Sequence, residues 1–128
     1  IHLRMYEDWG LSTIFLRIDH DMPDEAAHAD AIIRRVLFLE GIPNMQRDDV
    51  EIGEDVISCL KADLKLEYDV REKLAQGVKL CEDKADYVTR EMLRQQMSDT
   101  EEDHTYWLEK QLRLIELMGL QNYIQSQM

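Results

Sequence analysis

Apolar residues recur along most of the chain at steps of three and four, the spacing that places them on one face of a helix. The chain opens in this spacing with Ile1-His2-Leu3-Arg4-Met5-Tyr6, and Trp9-Gly10 stops it, so the opening reads as the tail of a helix whose start lies before Ile1. A second helix is predicted from an N-cap at Ser12 or Thr13 to Glu40, with Ile14, Ile18, Met22, Ile32, Val36 and Leu39 on its apolar side. It would span about 28 residues, or about 42 Å. Pro23 lies inside it; the missing N–H and the clash with the carbonyl of Asp19 predict a kink costing about 3 kcal/mol. The apolar spacing resumes on both sides, so the segment is read as helical throughout.

The stretch from Gly41 to Gly53 has no helical or strand period. It is longer than the roughly 2–8 residues that usually join helices in a bundle, and at about 3.3 Å per residue it would reach about 43 Å, the length of the helix before it. A crossover running the height of a bundle is the expectation. A third helix follows from Glu54 to about Leu80, with Val56, Leu60, Leu64, Val70, Leu74 and Val78 on its apolar side. A fourth, continuous from about Lys84 to Met118, carries Val88, Met92, Met97, Leu108, Leu112 and Ile115. Only Cys81, Glu82 and Asp83 would separate them, which makes an antiparallel hairpin. Gly119 ends the fourth helix, and Leu120 to Met128 suffices for a short fifth.

Composition supports this reading. Among 128 residues there are only five Gly and two Pro, with 33% charged residues, which suits a single domain of long helices and disfavours a many-turned sheet protein. The net charge of −12 repels phosphate backbones and anionic lipid, so neither nucleic acid nor membrane is expected as a partner; it attracts cations. No apolar run approaches the roughly 18 residues of a membrane span. Cys59 and Cys81 stand about 33 Å apart along one predicted helix, too far for a disulfide, which needs Cα atoms within about 7 Å. Reduced thiols point to a cytoplasmic location, and without further Cys or paired His they form no zinc motif.

The chemistry lies where polar residues interrupt the apolar stripes. Glu25 and His28 stand at i and i+3 on the second helix, beside Met22 and Ala29, and both are expected to point inward. Glu101 and His104 repeat the spacing on the fourth, between Met97 and Leu108. Glu67 sits between Leu64 and Val70 on the third. Inward carboxylates need compensation, and no Lys or Arg is expected at the same central positions. A pair of divalent metals would supply it, and oxygen and imidazole ligands suit iron or manganese. A lone Glu-x-x-His is commonly a surface pair; two of them, with an apolar-framed Glu on the helix between, make the metal reading specific.

These residues resemble the bacterioferritins and bacterial ferritins, within the ferritin-like di-iron proteins. The likeness is carried by Arg4-Met5-Tyr6-Glu7-Asp8-Trp9-Gly10, Asp24-Glu25 with His28-Ala29-Asp30, Leu37-Phe38-Leu39-Glu40-Gly41 and Ile52-Gly53-Glu54-Asp55-Val56. Asp86-Tyr87-Val88, Glu101-Glu102-Asp103-His104 through Trp107-Leu108-Glu109, and Met118-Gly119-Leu120-Gln121-Asn122-Tyr123 extend it over essentially the whole chain. It implies one all-α ferritin-like domain over residues 1–128, a four-helix bundle with a long crossover and a short fifth helix, the first helix being truncated here.

The resemblance further implies iron storage and detoxification. Glu25 and His28 would bind one iron, Glu101 and His104 would help bind the other, and Glu67 would contribute a third carboxylate. There Fe²⁺ would be oxidised by dioxygen or peroxide, and the ferric mineral stored in a hollow homomeric or heteromeric shell of two dozen subunits. A small ferredoxin is the family's usual partner for iron release. His20 and Asp24 match an inner-surface iron site of some relatives, or form a solvated pair. Three positions depart from the pattern. The first-helix Glu ligand would precede Ile1; the Met that ligates haem is replaced by Ala26, so haem would come from a partner subunit if at all; and Pro23 stands two residues before Glu25. An alternative reading is a weakly catalytic or non-catalytic shell subunit that co-assembles with a haem-binding bacterioferritin subunit.

Overall fold

A computed structural model describes residues 1–44 and 46–128; Met45, within the long loop, lies outside the described residues. The elements are α1 (His2–Asp8), α2 (Ser12–Phe38), α3 (Val56–Asp83), α4 (Tyr87–Asp99), a π-helical turn (Thr100–Thr105), α5 (Tyr106–Met118) and α6 (Leu120–Gln127). Two compact units are formed, one of residues 1–51 with 127–128, the other of residues 52–126.

In the first unit α1 packs on α2. The turn between them follows from Gly10, which adopts a left-handed φ of 73°. That conformation lets Gly10 N–H reach Glu7 O at 3.0 Å and Leu11 N–H reach Tyr6 O at 2.9 Å, closing the last turn of α1. Leu11, now fully buried, becomes the residue preceding α2. The expected side-chain cap at Ser12 or Thr13 is therefore not used: Ser12 is already helical, and the backbone turn has fixed the start. Pro23 lies within an unbroken α2.

Glu40 and Ala85 close α2 and α3 in the same way, at φ 63° and 56°. Gly41 N–H bonds Val36 O at 2.9 Å and Asp86 N–H bonds Cys81 O at 2.9 Å. A non-glycine residue in this region costs about 1–2 kcal/mol, which the recovered carbonyl bonds offset.

The expected hairpin between the third and fourth helices is present in the second unit, shifted by one turn. Cys81, Glu82 and Asp83 belong to α3, and the connection is Lys84-Ala85-Asp86. Asp86 fixes the boundary by accepting from Thr89 N–H at 3.1 Å and from the Thr89 hydroxyl. At its other end α3 starts with a reciprocal cap, in which Asp55 accepts from Ser58 N–H at 2.7 Å and Ser58 Oγ accepts from Asp55 N–H at 3.0 Å. α3 then packs against α4, the π-turn and α5, with Val56, Cys59, Leu60, Leu74, Leu108 and Ile115 buried. Tyr123 of α6 is fully buried and donates to Gln111 Oε1 of α5 at 2.9 Å.

Several residues of the predicted apolar stripes are exposed. Met22 and Leu39 are each 53% exposed and Val88 68%. Periodicity identifies an apolar face without saying what covers it, and Leu37 and Phe38 add to an uncovered apolar stretch at the end of α2.

Candidate metal centre

The fourth predicted helix is helical from Tyr87 to Met118, but its register is not uniform. It changes to a π-turn over Thr100–Thr105, and that turn carries both Glu101 and His104. A π-turn inserts one residue into the helical register, a local departure common at functional sites. Ordinary helical periodicity does not reveal it, since the flanking residues keep apolar spacing on each side.

His104 is buried, at 8% exposure, and its Nδ1 stands 3.6 Å from Glu67 Oε1 of α3. That separation is too long for a hydrogen bond. It is close to the span of two atoms bound about 2.1 Å from one metal ion, so this carboxylate and imidazole fit a shared divalent cation. Beside them Tyr68 donates to Glu109 Oε1 of α5 at 2.5 Å, fixing α3 against α5 next to Glu67. The Glu109 carboxylate in turn pushes the Tyr68 hydroxyl above its ordinary pKa, so it remains a donor.

Glu101 is half-buried, and its Oε1 accepts from Arg71 Nε of α3 in an ion pair. The expectation that no Lys or Arg stands at the central positions is thus incorrect. Arg71 lies one helical turn after Glu67, and its long side chain reaches across to the π-turn.

The other predicted ligands belong to α2 in the first unit. His28 is half-buried, as expected of an inward residue, but Glu25 is exposed. Glu25 and its neighbours Met22, Pro23, Asp24, Ala26 and Ala27 are all exposed, so the predicted burial of this carboxylate is not met. His20 and Asp24 are exposed on the same helix, and Asp21 is held by Arg17 at 2.6 Å. The second unit therefore brings Glu67 to His104 and ties Glu101 to Arg71, while α2 carries Glu25 and His28 one turn apart.

An all-α fold whose long helices bring carboxylate and imidazole side chains within reach of one cation suits a helical metal-binding protein, and the sequence comparison specifies the family. Residues 1–118 match the ferritin-like domain, and the chain belongs to that family. It is 56% identical over 128 residues to the bacterial ferritin of Neisseria meningitidis serogroup B, covering all of this chain and 83% of that protein. It is 57% identical over 127 residues to the bacterial ferritin of Pseudomonas aeruginosa, covering 99% of this chain and 82% of the relative. A bacterioferritin of Brucella melitensis is 36% identical over 124 residues, covering 96% and 76%. Iron storage follows from this membership. So does a multi-subunit shell. No helix among the described residues is long and apolar enough to cross a membrane.

Proposed function

We propose that this chain is a ferroxidase subunit, a single ferritin-like domain that takes Fe²⁺ as substrate and passes Fe³⁺ to the mineral of a cytoplasmic storage shell. The supporting observation is the buried His104 imidazole facing the Glu67 carboxylate across α3 and the π-turn. Glu25 and His28 would hold one iron, Glu101 and His104 would help hold the other, and Glu67 would contribute a third carboxylate. Three carboxylates offset most of the charge of two ferrous ions, and the neutral imidazoles add no repulsion. Two Fe²⁺ give up one electron each. Dioxygen takes up the pair with two protons to form hydrogen peroxide, or peroxide takes them to form two waters. His20 and Asp24 would offer oxidised iron a site on the inner surface.

Ala26 stands where the haem-ligating Met of bacterioferritins would be, so haem in the shell would depend on a partner subunit, and iron release on an external reductant such as a small ferredoxin. A second reading, a shell subunit with weak or no catalysis, has support in the exposure of Glu25 and the engagement of Glu101 by Arg71. Adding Fe²⁺ in increments to the aerobic assembly separates the two. The ferroxidase reading expects a fast ferric absorbance phase that saturates near two irons per subunit and is abolished by Glu67→Ala. Oxidation no faster than in buffer refutes it and leaves the shell subunit.

A further inference from the structure

We propose that Arg71 is a displaceable counter-cation for Glu101, a positioning residue that sets how loosely the ligand cluster of α3 and the π-turn holds a divalent ion. The inference rests on the metal-centre reading above and adds to it a residue that the ligand pattern does not contain.

Arg71 points to the π-turn rather than back to Glu67, four residues earlier on α3, and its Nε donates to Glu101 Oε1. Glu67 faces His104 instead. Glu67 and Arg71 of α3 thus face two residues of one π-turn, His104 and Glu101 respectively, and Arg71 cancels the charge of Glu101. A guanidinium keeps its proton at every working pH, so the cancellation is permanent. Two effects then weaken cation binding. Arg71 competes with the ion for the Glu101 carboxylate, and its guanidinium repels the incoming ion. The side chains of Arg71 and Glu101 are 48% and 37% exposed, so solvent screens the pair and lets it open. An ion-pair partner this exposed makes a ligand easy to recruit and to release, as a site that passes iron on requires.

The test is a titration of the assembled, metal-free protein with Co²⁺, a redox-inert probe followed by its visible absorbance, in wild type, Arg71→Gln, Arg71→Lys and Glu67→Ala. Arg71→Gln is expected to bind Co²⁺ about two- to fivefold more tightly than wild type, since exposed ion pairs contribute at most about a fivefold factor. Arg71→Lys, which keeps charge and donor, is expected to stay within about twofold of wild type. The gap between wild type and Arg71→Gln should narrow as salt is raised. Unchanged or weaker binding in Arg71→Gln, with wild type binding Co²⁺ and Glu67→Ala not binding it, overturns the proposal and leaves the metal centre standing. If wild type itself does not bind Co²⁺, the metal centre and the proposal fall together. Should Arg71→Gln fail to assemble, Arg71→Lys decides: tightening as large as that expected of Arg71→Gln overturns the role of charge, and wild-type affinity that weakens with salt in parallel with wild type upholds it.

Discussion

Gly53 offers a sharp test of how α3 is placed. A Cβ at this position would sit 2.3 Å from Cys59 N, 2.6 Å from Cys59 Cα and 2.7 Å from Cys59 Sγ. The closest approach falls about 1 Å short of ordinary contact, and it is to backbone in the first turn of a helix. That turn has little freedom, because Asp55 and Ser58 cap it reciprocally and Cys59 is fully buried. Gly53→Ala therefore either pushes the loop off α3 or distorts the cap. Overpacking of this kind costs about 1–3 kcal/mol, and a backbone clash belongs at the upper end. For a domain of this size that lowers Tm by about 5–15 °C. Gly77→Ala is the control, since its Cβ would meet only Leu93 Cδ1, at 2.9 Å, the end of a side chain that can rotate away. Replacing a helix-interior glycine also gains about 1 kcal/mol of propensity, so Gly77→Ala should melt close to wild type. The assay is thermal unfolding of the assembled variants by circular dichroism. Equal Tm values for the two variants, or an unchanged Gly53→Ala, would refute the argument from close backbone approach.

The other predictions follow from single contacts. Tyr123→Phe leaves the buried Gln111 side chain without its donor, so it should cost about 1–3 kcal/mol in a denaturant melt; no loss would show that this bond does not anchor α6. Burial, reinforced by the carboxylates of Asp63 and Asp55, pushes the Cys59 thiol from 9.0 to about 11. Its alkylation at pH 8 should be at least about 100-fold slower than that of an ordinary thiol and should accelerate as the pH approaches 11, read by mass spectrometry. The direction follows because only the thiolate reacts, and a raised pKa keeps the thiol protonated to higher pH. Replacing Glu67 by Ala should remove the fast phase of iron oxidation while leaving the assembly intact, as checked by size-exclusion chromatography.

Much of this architecture is legible from spacing. The stop at Trp9-Gly10, the long α2, the long loop, the α3–α4 hairpin and the short α6 all follow from apolar period and from glycine placement. Boundaries set by backbone conformation are less visible. Ala85 takes a left-handed turn without being glycine, so Cys81 to Asp83 look like a connection when they are helix. The π-turn escapes for a related reason: a single inserted residue shifts register without altering the composition that periodicity reads. The candidate ligands are legible because Glu and His interrupt apolar stripes, whereas Arg71 is hidden because its partner Glu101 is 30 residues away in the chain. The exposure of Glu25 and Met22 could not be read from α2 alone, since burial depends on what packs against a face and not on its period.

The central claim is that Glu67, Glu101 and His104, with Glu25 and His28, hold the iron that is oxidised. Crystals of the assembly loaded anaerobically with Fe²⁺ and measured on both sides of the iron absorption edge test it most directly. The account predicts anomalous density within ligand distance of His104 and Glu67, and a second peak within ligand distance of Glu25 and His28. Iron found only at other positions, with Glu67 and His104 bearing none, would contradict it.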